Sequence, residues 1–190
     1  MTLTEFDTWV NISAFSTTAR IFIENKPLPC YLNKVTGKLK SLEELQIIAS
    51  DARAAGQTVV FTNGCFDLLH RGHVYILRAA KSQGDILIVG INSDRSVQSI
   101  KGSTRPILPE TDRIELIAAM EMVDYVVLFD APDPYNLIVA LKPSVLAKGG
   151  DWSAEKIIGA DVVEREGGRV IVIPYLEGFS TTEIIERIRN

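Results

Sequence analysis

The chain has 190 residues, of which 46% are hydrophobic and 23% charged, a length for one domain with a sizeable core plus an extension and a composition that excludes a disordered chain. Twenty Lys and Arg stand against 24 Asp and Glu, a formal net charge of −4. Nucleic acid is therefore not expected as a partner, because a phosphate backbone demands a basic face, whereas a small anion needs only a local positive site.

Residues 1–35 sustain no period. They carry Thr, Ser, Asn and Pro between short apolar pieces such as Ile21-Phe22-Ile23, and Pro27 and Pro29 interrupt the region. This stretch reads as an N-terminal extension, with the domain proper over 36–190. Glu5 and Asp7 precede the first basic residue, Arg20, unlike a secretory leader. Cys30 and Cys65 form neither a disulfide framework nor a metal-knuckle spacing, so a reducing, cytoplasmic setting is the expectation.

From Ser41 onward Leu42, Leu45, Ile48, Ala49 and Ala52 recur at helical spacing until Gly56. Thr58–Thr62 is a short β-branched run and reads as a buried strand. Val74, Leu77 and Ala79-Ala80 suit a helix ending near Gly84, and Ile86–Ile91 is the next strand. That run holds the longest clean apolar stretch, far short of the ~20 residues of a membrane span, so no membrane partner is expected. Ile114, Ile117, Ala118 and Met122 predict a helix through Val123, followed by a strand at Tyr125–Phe129. Asp133-Pro134 reads as a cap with proline at the first helical position. Val145–Ala147 and Arg169–Ile173 are further strands, and Ile184, Ile185 and Ile188 mark a terminal amphipathic helix. Five short apolar strands alternating with helices predict an α/β fold, a Rossmann-like five-stranded parallel sheet with helices on both faces. Ligands in such sheets sit at the carboxyl ends of the strands, which points to the loops after Thr62, Ile91, Phe129, Ala147 and Ile173.

The first of these loops reads Thr62-Asn63-Gly64-Cys65-Phe66-Asp67-Leu68-Leu69-His70-Arg71-Gly72-His73. Gly64 permits close backbone approach to a ligand. Gly72-His73 lies where the next helix begins, and its free N–H groups attract phosphate. A lone loop histidine is commonly incidental. Here the only two histidines of the chain flank one glycine after a strand, so both imidazoles can meet one anion, as donors or, when protonated, as cations. Neither a Walker lysine motif nor G-x-G-x-x-G is present.

This stretch resembles the nucleotidyltransferase superfamily that carries the H-x-G-H signature, whose members transfer a nucleotidyl group from a triphosphate to a phosphorylated acceptor. The resemblance runs from about Leu39 to the C-terminus. Within the superfamily, Phe61–His73, Lys101-Gly102 with Arg105-Pro106, Met122–Val127, Lys148-Gly149-Gly150-Asp151-Trp152 and Ser180-Thr181-Thr182 are similar to members that adenylylate D-glycero-D-manno-heptose 1-phosphate for ADP-heptose synthesis. The first 35 residues have no counterpart there. Nor does the chain carry the sugar-kinase domain of fused versions, so it resembles the stand-alone form. The resemblance implies ATP and a sugar 1-phosphate as substrates, Mg²⁺ as cofactor and a homodimer or higher homo-oligomer.

It also implies a division of labour. His70, His73 and Lys101 are the expected catalytic residues. Thr62, Asn63, Gly64, Cys65, Phe66, Gly72, Gly150, Asp151, Ser180, Thr181 and Thr182 are expected at the nucleotide. Arg105, Arg113 and Lys148 are expected at the acceptor phosphate. Several of these carry a structural reading of their own. Arg113 opens a helix, where a cation is unfavourable beside the dipole, which hints at an anionic ligand or a carboxylate partner such as Asp112 or Glu110. Ser180 with Glu183 forms a capping box, and a helix start with added hydroxyls also seats a triphosphate. Trp152 offers a stacking face or a core side chain. Cys65 reads as a packing residue, since the expected chemistry needs no covalent intermediate, and Asp67 as a metal-side or structural carboxylate. The rival readings are a CTP-dependent cytidylyltransferase acting on glycerol 3-phosphate, a non-catalytic nucleotide sensor and a fragment of a class I aminoacyl-tRNA synthetase. Acidity and length argue against the last.

Overall fold

The computed structural model describes residues 37–150, 153, 156–176 and 178–189, so the extension at 1–35 lies outside the described residues. Five strands, β1 (Val59–Gly64), β2 (Ile86–Asn92), β3 (Tyr125–Phe129), β4 (Val145–Gly149) and β5 (Arg169–Ile173), form one parallel sheet in the order β3-β2-β1-β4-β5. Among the described residues seven helices accompany them: α1 (Leu42–Ala54), α2 (Arg71–Lys81), α3 (Asp94–Lys101), α4 (Glu110–Ala118), α5 (Tyr135–Leu141), α6 (Ala160–Arg165) and α7 (Thr181–Arg189).

The strands are apolar throughout because both sheet faces are covered, and their side chains alternate between two cores. Val60, Leu87, Val89, Val126 and Val145 pack on one face with Leu77 and Ala80 of α2 and Ile117 and Ala118 of α4. Val59, Phe61, Ile88, Val127 and Leu146 pack on the other with Leu45 and Ala49 of α1, Ile138 and Leu141 of α5 and Val162 and Val163 of α6. Local chemistry sets the helix ends. Ser41 and Glu44 form a reciprocal capping box at α1, and Gly56 at φ 75° follows that helix. Asp133 accepts from the Tyr135 N–H at 2.9 Å, as a cap should, although Pro134 falls just before the helix rather than inside it.

Four elements depart from the periodicity. The helix expected through Val123 stops at Ala118. Turns follow it, and the Asp124 carboxylate accepts from Leu87 N at 2.7 Å and from Lys81 Nζ at 2.5 Å, which pins the start of β3 to β2. Both β1 and β4 end two residues later than the apolar pattern, because Gly64 pairs with Ile91 and Gly149 with Ile173. Helix α6 was not anticipated: six residues between Gly159 and Gly167 are too few to display a period.

Strand order reverses direction at β1, the switch point of such a sheet. There β1 pairs with β2 over six positions but with β4 over only two, Val60↔Val145 and Phe61↔Leu146. Past those residues the two strands part, and the cleft described next opens between them.

Candidate active site at the parting of two strands

A cleft of about 570 Å³ lies at the carboxyl ends of β1 and β4, bounded by the start of α2, the end of α3 and the start of α7. It collects Thr62, Asn63, Gly64, Cys65, Phe66, Asp67, His70, Gly72, His73, Lys101, Arg105, Lys148, Ser180, Thr181 and Thr182 from the expected set. A second cavity, about 430 Å³ and mainly apolar, sits by the end of β3 between Leu39 and Leu137 and has no histidine in its lining.

His70 caps α2. Its Nδ1 accepts from the Gly72 N–H at 3.1 Å, so in the neutral ring the proton resides on Nε2. The His73 ring stacks on it with centroids 3.9 Å apart and planes at 29°, and the Phe66 ring packs against His73 with centroids 5.3 Å apart. Among the described residues His73 Nδ1 is buried without a hydrogen-bond partner. Burial lowers the pKa of both rings. His73 falls to about 4, with His70 adding to the effect, while Glu183 partly opposes the shift at His70. In the ligand-free cleft both imidazoles are therefore neutral hydrogen-bonding groups at pH 7. Only glycine fits between them: a Cβ at Gly72 would lie 2.9 Å from His70 Cε1 and Nδ1 and 3.2 Å from Phe179 O.

Phe66 turns the loop through a left-handed conformation, φ 49°, costly for a bulky residue. Its ring is buried in the core as well as against His73, so the side chain anchors the loop. Burial pushes the Cys65 thiol up, keeping it protonated and consistent with a packing role.

Positive charge comes from three directions. Lys101 ends α3, Arg105 follows it in the next loop, and Lys148 reaches across the gap from β4 to β1, with Nζ 3.0 Å from Asn63 Oδ1. Burial lowers the pKa of Lys148, and among the described residues it has no carboxylate partner. At α7 the Glu183 N–H donates to Ser180 Oγ at 3.1 Å, the first half of the expected capping box, and leaves the helix start facing the cleft.

Two expected residues have other duties. Arg113 does not enter the cleft. It is 0% exposed, with Nε donating to Leu108 O at 3.1 Å, Nη1 to Cys65 O at 2.6 Å and Nη2 to Asp94 Oδ1 at 2.8 Å. The unfavourable helix-start cation is thus balanced by Asp94 rather than by Glu110 or Asp112, and it braces the histidine loop from behind. Asp67 is 1% exposed and engaged by Arg105 Nε at 2.5 Å and by the N–H groups of Ile107 and Leu108 at 2.7 and 2.9 Å, an arrangement that matches the structural of its two readings. Among the described residues no three His, Cys, Asp or Glu converge on one point. No dedicated carboxylate cage is expected for Mg²⁺, which is commonly held through substrate phosphates.

Gly150 lies beside the cleft, its N–H donating to Ile173 O at 2.9 Å, while Asp151 and Trp152 fall outside the described residues. The sequence reading missed Ile76, Tyr175, Phe179 and Glu183, all in the lining. The loop after Ile173 was flagged by topology, but nothing local singled out Tyr175 or Phe179. Among the described residues no helix is long and apolar enough to cross a membrane.

The comparisons with known proteins agree with this geometry. Residues 61–187 match the family model described as Cytidylyltransferase-like. The chain is 53% identical over 151 residues to the bifunctional protein HldE of Trichlorobacter lovleyi and 51% to that of Geobacter metallireducens, in each case over 80% of this chain and 31% of the relative. It thus spans about a third of the length of the curated relatives it matches. Among solved structures it is similar to the lipopolysaccharide core biosynthesis protein from Thermoplasma volcanium, at 27% identity and a TM-score of 0.51, covering 64% of this chain and 98% of that one. A pantoate-beta-alanine ligase from Francisella tularensis shares the fold at 16% identity and a TM-score of 0.51, over 80% of this chain and 76% of that one. With the paired histidines, the cationic cleft and the start of α7 all inside the matched residues, the chain belongs to the cytidylyltransferase-like family and carries its nucleotidyltransferase fold.

Proposed function

We propose that this protein transfers AMP from ATP to D-glycero-D-manno-heptose 1-phosphate, releasing pyrophosphate and yielding ADP-heptose for lipopolysaccharide or another surface glycan. One placement carries the reading: His70 and His73, stacked around Gly72, share a cleft with Lys101, Lys148 and Ser180. The likeness to proteins named HldE and to a lipopolysaccharide core biosynthesis protein supports a heptose acceptor. The resemblance of Lys148-Gly149-Gly150-Asp151 to the heptose-specific members supports ATP as donor.

A phosphate monoester is largely dianionic at neutral pH, its second pKa being about 6, so the acceptor needs no general base. Its oxygen forms a bond to the α-phosphorus, the bond from that phosphorus to the α–β bridging oxygen breaks, and pyrophosphate leaves with the electron pair. His70, donating through Nε2, and His73 hold the charge that grows on the α-phosphate and the leaving group. Lys101 and the Ser180–Thr182 helix start hold the β- and γ-phosphates, Thr62–Phe66 and Gly72 hold the nucleotide, and Arg105 and Lys148 receive the acceptor phosphate. Magnesium enters with the triphosphate as part of the substrate. By resemblance we place the enzyme in the cytoplasm as a homodimer or higher homo-oligomer.

The test is pyrophosphate release from ATP, CTP, GTP and UTP, each with heptose 1-phosphate, other sugar 1-phosphates and glycerol 3-phosphate. Preferred turnover of ATP with heptose 1-phosphate supports the proposal. Preference for CTP with glycerol 3-phosphate assigns the cytidylyltransferase instead, and tight ATP binding without release from any pair identifies a sensor.

A further inference from the structure

We propose that Asp67 is a positioning residue that presents Arg105 to the acceptor phosphate; this rests on reading the cleft as a phosphate-transfer site. Asp67 stands in the histidine loop, three residues before His70. Its buried carboxylate receives three hydrogen bonds, and all three come from the segment that carries Arg105: from Arg105 Nε at 2.5 Å, Ile107 N at 2.7 Å and Leu108 N at 2.9 Å. One carboxylate thereby fixes both the guanidinium and the backbone beneath it.

The guanidinium is left with work to do. Arginine has five N–H donors. Asp67 takes the one on Nε, and among the described residues the four on the terminal nitrogens have no partner. The Arg105 side chain is 17% exposed and lines the cleft. A mostly buried planar fork with unengaged donors suits bidentate recognition of a phosphate. Held by Asp67, it need not be ordered when the ligand arrives, which is how preorganisation raises affinity. Arg113 secures the same segment from behind by donating to Leu108 O at 3.1 Å. The spacing between the His70 ring, which meets the donor nucleotide, and Arg105, which meets the acceptor, is therefore set through Asp67.

The test is a double-mutant cycle of Asp67→Asn and Arg105→Ala, with two readouts. In steady-state kinetics with ATP and heptose 1-phosphate, each single variant raises the acceptor KM about 10-fold and leaves the ATP KM within about twofold, and the double variant is no worse than either single one. The second readout is the calorimetric affinity for inorganic phosphate in the presence of ATP. It needs no turnover, so a wild-type protein that releases no pyrophosphate defeats the functional reading while phosphate affinity still decides this one. Should Asp67→Asn fail to fold, Asp67→Glu, which keeps the charge but shifts it, replaces it in the cycle with the same expectation of non-additivity. Additive effects, an unchanged phosphate affinity in Arg105→Ala, or an Asp67 variant that lowers kcat and Tm with acceptor KM and phosphate affinity unmoved would each overturn the proposal.

Discussion

At pH 7 the two imidazoles of the cleft are uncharged because burial opposes their protonation, and this fixes a pH dependence. The folded-state pKa of His73 is about 4 against an ordinary value of 6.5. As pH falls through 6.5 the unfolded chain binds a proton that the folded ring refuses. Stability therefore declines from about pH 6.5 down to about pH 4, by at most about 3 kcal/mol for this ring, and the loss is complete below that. Urea midpoints at pH 7 and pH 5 should show the decline, with a shallower one in His73→Asn; parallel profiles would remove His73 as its source. For catalysis, His73→Ala should lower turnover about 10²-fold or more with an unchanged circular dichroism spectrum, as for loss of a single preorganised group, and full activity would refute the assignment. Arg113 belongs to the same scale but acts on stability. Arg113→Leu removes the donors to two backbone carbonyls and to the partly exposed Asp94 carboxylate, and chemical denaturation should show a loss of about 1–3 kcal/mol. The discomfort of a cation at that helix start was legible in the sequence. Its partner was not, because Asp94 begins a different helix and only tertiary packing brings the two together.

Elements were readable where the cause is local. Asp133 before Pro134 and Ser180 with Glu183 each announce a helix start by side-chain chemistry, and each accepts from the helix backbone as that chemistry requires. Where the cause lies in a neighbour, the pattern stopped short. The extra residues of β1 and β4 are Asn63, Gly64, Lys148 and Gly149, with no strand propensity of their own; they are extended because adjacent strands pair with them. The connection into β2 shows how tightly such neighbours set the chain. A Cβ at Gly84 would stand 2.6 Å from Thr58 O and 2.7 Å from Val60 Cγ2, and backbone oxygen cannot step aside as a side-chain tip can. Gly84→Ala should cost about 1–3 kcal/mol, seen as a lower Tm, with KM values near those of wild type because the site lies at the opposite ends of the strands.

For the molecule as a whole, apolar strands alternating with helices were enough to specify a parallel sheet covered on both sides, and the paired histidines fall in the cleft at the carboxyl ends of its strands. Strand order was not written in any segment, since it depends on which crossover packs where. The cleft's position follows from that order. Ligand binding should register globally: ATP at 100 times its Kd favours the folded state by about 2.7 kcal/mol, a rise in Tm of roughly 5–10 °C for a chain of this size, and an unshifted Tm at saturating ATP would mean that the folded chain does not bind it. The two-position pairing between β1 and β4 has a dynamic consequence. A ladder with so few rungs at its centre is the place where a parallel sheet breathes most easily. Deuterium uptake in peptides spanning Thr62–Gly64 and Ala147–Gly149 should therefore drop when ATP is added, while peptides from β3 keep their rate. A nucleotide lodged there would act as a removable clasp across the gap between the two strands.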